Sequence, residues 1–216
     1  MARNGFKIFD SDTHVGPYME VIDRYLSDAE RKTLEAWAPY RSVNSHGHIT
    51  YNKGQRRYRR KLGAASAEQT PGAYMAGFTG VAKKRLVNPR GDHDPAERIK
   101  DLDFEGVDVN LLLPSGWWGT WTTDETPVLE AAMYRAYHRW MEEYCSAYPQ
   151  RLGGVILASG RDVEGSVQEI KRWGKSRWAW GVLPYAPYGM PLDHPDLEPI
   201  WAAAAEFDLS ITLHTF

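Results

Sequence analysis

The chain has 216 residues, 43% of them hydrophobic and 25% charged, a composition that suits one soluble globular unit with a sizeable core. Its formal net charge of -2 lacks the concentrated positive charge that nucleic acid or an anionic membrane surface requires, so a small molecule or another protein is the expected partner. The single cysteine, Cys145, excludes an intramolecular disulfide and an all-cysteine metal site, and no run approaches the roughly 18 apolar residues of a membrane span.

In chain order, residues 6–10 alternate apolar and polar and predict a short first strand. It runs into a polar turn that carries Asp12 and His14. Residues 18–37 have helical spacing. Residues 41–90 are rich in Gly, Ser, Asn, Lys and Arg and read as a long insertion, a surface or lid loop. Its basic run, residues 53–61, is the pattern of a solvated surface or of a grip on an anionic group, and His46 and His48 flank a glycine, as a metal pair or as loop surface.

From Asp94 the pattern is regular. Asp94 is placed to cap a helix, Pro95 opens it, Glu97 stands three residues after the cap, and Gly106 is placed to end it. Residues 107–114 then predict a buried strand. Pro127 starts a helix whose Leu129, Met133, Tyr137, Trp140 and Tyr144 recur every three or four residues. A strand over 154–159, a helix over 163–173, a strand over 180–185, a helix over 195–207 and a fifth strand over 209–214 complete the series.

Strands alternating with helices are the mark of parallel βαβ units, and the absence of a glycine-rich phosphate loop after the first strand favours a barrel over a nucleotide-binding open sheet. The expected fold is therefore α/β, of the (β/α)8 barrel type, with strands one to five in residues 1–216. In such barrels the chemistry sits at the C-terminal ends of the strands. Asp12, His14 and His214 fall there, and an aspartate and a histidine two residues apart on one strand point to the same side, where they can share a divalent cation. Nine tryptophans and twelve tyrosines serve first as core and interface. Trp117, Trp118 and Tyr185, just past the ends of strands two and four, are also candidates to wall a pocket for a flat or aromatic substrate.

The run from Phe9 to Val15 resembles the first-strand motif of the amidohydrolase superfamily, in the amidohydrolase 2 branch that includes the aminocarboxymuconate-semialdehyde decarboxylase-like proteins. That motif is commonly His-x-His, so Asp12 takes the place of the first histidine and His14 matches the second. The helix that ends at Gly106, Val107 and Asp108, the Pro149 to Gly153 approach to strand three, and residues 197–214 leading to His214 also resemble the branch. The resemblance implies that His214 is a metal ligand. An aspartate in place of a histidine offers a harder oxygen ligand, which leaves zinc, manganese and iron all open.

The resemblance also implies eight strands, with a further histidine on strand six and a proton-transferring aspartate on strand eight. Catalytic acid and base groups are thus expected outside residues 1–216. An open half barrel exposes two strand edges, so its complement is expected from a second polypeptide that makes a two-chain enzyme, with a longer precursor cut after Phe216 or a truncated sequence as the other options. The implied activity is metal-dependent hydrolysis by activated water, with non-oxidative decarboxylation of an aromatic or unsaturated acid as the alternative. A noncatalytic scaffold subunit is the reading from another class. The lone cysteine and the absence of an apolar leader in the first residues point to a cytoplasmic setting.

Overall fold

The computed structural model describes residues 4–43, 47, 49–51, 89–114, 127–187 and 189–214. Strand β1 is Phe9–Val15, longer than residues 6–10, and Asp12 and His14 stand on the strand itself rather than in a turn after it. The polar motif can pair as a strand because backbone groups carry the ladder and a one-residue bulge between Asp10 and Thr13 absorbs the irregularity. The expected helix over 18–37 is divided into α1 (Met19–Ile22), a 3-10 turn and α2 (Asp28–Glu35). Ser27 causes the break: its hydroxyl accepts from the Glu30 amide while the Glu30 carboxylate accepts from the Ser27 amide, a reciprocal cap that starts a new helix.

The insertion contains a two-stranded antiparallel ladder, β2 (Arg41–Val43) with β3 (Ile49–Tyr51). Residues 52–88, His46 and His48 lie outside the described residues, as do Trp117 and Trp118. Helix α3 (Pro95–Glu105) has the expected Asp94 cap, whose carboxylate accepts from the Ala96 amide, and ends at Gly106 with φ +76°, a left-handed conformation that glycine adopts without strain. Next come β4 (Val109–Pro114), α4 (Pro127–Ser146), β5 (Leu152–Ser159), α5 (Val163–Trp173), β6 (Ala179–Tyr185), α6 (Glu198–Glu206) and β7 (Ser210–Ile211). The fifth strand of the main sheet is shorter than residues 209–214, although the Thr212 amide still donates to the Val182 carbonyl.

The main sheet is entirely parallel, in the order β1-β4-β5-β6-β7. All eight residues of β5 are buried, as expected of an interior parallel strand. Two adjacent glycines let it be covered closely from both sides. A Cβ on Gly154 would lie 2.1 Å from Met141 Cε of α4, and one on Gly153 would lie 2.0 Å from the Trp180 ring on the other face. Leu129, Met133, Tyr137, Trp140 and Tyr144 of α4 are buried as their spacing predicts, and Cys145 is a buried free thiol.

Curvature decides the architecture. Strands β1 and β7 are the two edges of a five-stranded sheet, and four inter-strand spacings would separate them by about 19 Å if the sheet were flat. Two histidine side chains can bridge only about half of that. Yet the His14 and His214 rings lie 4.8 Å apart, centroid to centroid. The sheet is rolled into part of a barrel, with helices outside and the strand ends converging on one mouth.

Candidate metal centre

Asp12 and His14 project from the same side of β1, and His214 follows β7. His214 Nε2 is 2.9 Å from Asp12 Oδ1, His14 Nε2 is 3.4 Å from the same oxygen, and the two Nε2 atoms are 3.3 Å apart. Two imidazole nitrogens and a carboxylate oxygen aimed at one point require a cation or a shared proton between them. At metal–ligand bonds of about 2.1 Å, ligand atoms lie about 3.0 Å apart at right angles and about 3.4 Å apart at the tetrahedral angle, so the observed triangle matches a metal-binding face. Side-chain exposure runs from 70% at Asp12 through 38% at His14 to 19% at His214, leaving the group open to solvent on the Asp12 side. Among the described residues this is one group of three that can share an ion.

The surroundings hold this triangle in place. The Asp10 carboxylate accepts from the Asp12 amide (3.0 Å) and from the Thr13 hydroxyl (2.6 Å), and the Asn110 amide donates to the same hydroxyl at 2.9 Å. These bonds span the bulge and set the phase in which Asp12 and His14 leave the strand. Arg98 of α3 donates to the His14 carbonyl at 3.1 Å. Sequence reasoning missed Asp10, Asn110 and Arg98, although Asn110, 1% exposed in an apolar strand, carried a signal: a buried amide needs a partner.

Tyr185 ends β6 at the C-terminal end of the sheet and packs its ring against Tyr134 of α4, with centroids 5.9 Å apart. Burial, followed by the nearby Glu130 carboxylate, pushes its hydroxyl well above the usual phenol range. Burial likewise raises the Glu130 carboxyl, against the Arg161 guanidinium that donates to it at 2.8 Å. That pair ties the start of α4 to the loop after β5.

A family model described as amidohydrolase matches residues 9–216, nearly the whole chain and every member of the triangle. The chain belongs to the amidohydrolase family. No curated protein matches the sequence. Among solved structures, this amidohydrolase resembles 5-carboxyvanillate decarboxylase from Novosphingobium aromaticivorans, with bound manganese and 3-methoxy-4-hydroxy-5-nitrobenzoic acid, at a TM-score of 0.60 and 19% identity. That match covers 98% of this chain and 51% of the other. The 5-carboxyvanillate decarboxylase of Sphingomonas paucimobilis matches at 0.56 and 17% identity, covering 96% of this chain and 51% of the other. A dihydroxybenzoic acid decarboxylase from Polaromonas sp. JS666, with bound manganese and 2-nitroresorcinol, matches at 0.55 and 12% identity, covering 97% and 49%. The amidohydrolase chain thus spans about half the length of these structures, and at such identities they testify to the fold.

Proposed function

We propose that Asp12, His14 and His214 are ligands of one divalent cation, in an enzyme that acts on a small aromatic or unsaturated acid. The observation that carries this reading is the triangle of ligand atoms with edges of 2.9, 3.3 and 3.4 Å, drawn from opposite edges of a rolled sheet. A bound cation would polarise a substrate oxygen and acidify bound water. The chain's own groups would hold it: the carboxylate would supply charge and the imidazoles neutral nitrogen. Trp117, Trp118 and Tyr185 are proposed to wall the substrate pocket.

Hydrolysis and non-oxidative decarboxylation both suit such a centre. Decarboxylation is favoured by the likeness to three decarboxylases of aromatic acids, two of them holding manganese, and manganese accords with an oxygen ligand at position 12. The unmatched half of those structures supports a further part of the proposal: residues outside 1–216 complete the barrel and bring the proton-transferring groups. The source is a second polypeptide or a continuation of the same one. Cys145, buried and free, suits a reducing cytoplasmic setting.

The test takes protein purified without tags, with any companion attached, and combines native mass and metal analysis with assays of carbon dioxide release from 5-carboxyvanillate and 2,6-dihydroxybenzoate and of aryl-ester hydrolysis. About one divalent ion per barrel, with release of carbon dioxide that His14→Ala abolishes, is the expected result. A preparation that neither retains nor takes up a divalent ion would sink the metal-centre reading, and ester turnover alone would return the reaction to hydrolysis.

A further inference from the structure

We infer that Arg98 is a positioning residue for the metal centre, a clasp that fixes the His14 peptide and through it the direction of the His14 ring. The inference rests on reading His14 as a ligand and adds what holds that ligand in place. One Nη2 atom of Arg98 donates both to the His14 carbonyl and to Asp92 Oδ1, each at 3.1 Å, while Nε donates to the Gly91 carbonyl at 3.2 Å. The side chain is only 13% exposed, and the Tyr144 hydroxyl of α4 donates to the same Gly91 carbonyl. Gly91 passes so close to α3 that an added Cβ would lie 3.3 Å from Asp101 Oδ2 and 3.6 Å from Arg98 Nε. One planar guanidinium therefore joins the end of an edge strand, the 3-10 turn at Pro89–Asp92, and a helix.

The location gives this clasp a role beyond general cohesion. Among the described residues, strand β1 has a sheet neighbour on one side only, and its last residues pair as His14 with Leu113 and Val15 with Pro114. An edge strand has no ladder partner for the backbone groups that face away from its neighbour, so the strand end takes support from elsewhere. Arg98 supplies it at the very peptide that carries the ligand. Ligand distances matter to within about 0.2 Å, and partners behind the ligands commonly change metal affinity by about ten- to a hundredfold when removed.

A matched clasp stands at the other end of the sheet. Arg151 donates to the Asp108 carbonyl (2.7 Å), the Val107 carbonyl (3.0 Å) and Asp103 Oδ1 (2.9 Å), just ahead of β4. It makes the same number and kind of bonds at the end away from the ligands, so it separates positioning from loss of stability.

The experiment titrates Mn2+ calorimetrically into metal-free wild type, Arg98→Ala, Arg98→Lys and Arg151→Ala, each purified with any companion attached. It also records the His14 and His214 imidazole nitrogen signals before metal is added. Arg98→Ala is expected to weaken Mn2+ binding about ten- to a hundredfold, with partial recovery in Arg98→Lys and wild-type affinity in Arg151→Ala. The His14 ring signals should move in Arg98→Ala and stay in place in Arg151→Ala. Wild-type affinity in Arg98→Ala, or equal weakening in both alanine variants, overturns the positioning role. If Arg98→Ala does not fold, Arg98→Lys against Arg151→Lys carries the comparison with the same criteria. If wild type takes up no Mn2+, the metal reading fails by itself. The clasp is then judged on the ring signals: movement specific to Arg98 variants upholds it, and no movement overturns it.

Discussion

His138 shows how environment turns a histidine into a structural residue. His138 of α4 is 0% exposed, accepts from the Leu157 amide through Nε2 at 2.8 Å, and so donates from Nδ1 to the Glu169 carboxylate at 2.7 Å. Burial pushes its imidazole below the ordinary value of 6.5, against the Glu169 hydrogen bond, with Arg139 and Arg135 lowering it further. The folded ring is neutral, and the unfolded chain takes up the proton first as pH falls. This contribution to stability is therefore full above pH 6.5 and is lost as pH drops from there toward the folded value. Burial acts against the Glu169 carboxylate, yet the His138 and Trp173 hydrogen bonds hold it below 4.5, so its own contribution is lost only at lower pH. The thermal midpoint should fall between about pH 7.5 and 5.5, and His138→Gln should flatten that slope. An unchanged slope in the variant would assign the loss to other groups.

Asp12 is the residue at which this amidohydrolase departs from the usual His-x-His pattern. Asp12→His is expected to keep divalent-metal binding and to move preference from manganese toward zinc, because imidazole is the softer donor. Competition between the two ions, read by metal analysis after equilibration, checks this. The candidate ligands were legible in the sequence because chemistry follows residue type and spacing. The partners of Asn110 and Arg98, 97 and 84 positions away, were not, although an asparagine in an apolar strand marks the need for one.

At the scale of elements, the helices from α3 onward and the order of strands followed from caps and periodicity. Asp94, Gly106 and the apolar stripe of α4 each carry a local reason that tertiary packing did not override. The first strand and first helix were misjudged for opposite reasons. A polar motif was paired by a long-range ladder to β4, and a continuous apolar spacing was cut by the local cap at Ser27. The Gly153–Gly154 pair shows an element shaped by its neighbours on both faces. Gly153→Ala should destabilise the protein by about 1–3 kcal/mol, because a methyl group would meet the Trp180 ring with β5 held from behind by Met141. In a Trp180→Ala background the same change should cost less, and a double-mutant cycle by thermal unfolding measures the difference. Equal costs in both backgrounds would show that the ring gives way freely.

At the scale of the whole molecule, the proposed ligand set, drawn from both edges of the rolled sheet, would tie metal binding to folding. Removing metal would free the two imidazoles and the carboxylate proposed to join β1 to the segment after β7, so the thermal midpoint should fall on chelation and return with Mn2+. Free metal at a hundred times its dissociation constant adds about 2.7 kcal/mol if the unfolded chain does not bind it. A midpoint indifferent to chelator and metal would show that the strand ends are held without an ion. Exposed Phe9, Ile211 and Leu213, on or next to the edge strands, mark where the remaining part of the barrel is proposed to pack.

Periodicity, caps and the Asp12, His14 and His214 pattern are local properties, and the sequence by itself determined from them the α/β class, the helices after Asp94 and the candidate ligands. Only the tertiary structure decided that edge strands β1 and β7 come together, with His14 and His214 rings 4.8 Å apart. That closeness depends on sheet curvature, on a bulge set by Asp10, Thr13 and Asn110, and on a strand end held by Arg98. The last two rest on Asn110 to Thr13 and Arg98 to His14, contacts between residues far apart in the chain, which local spacing does not encode.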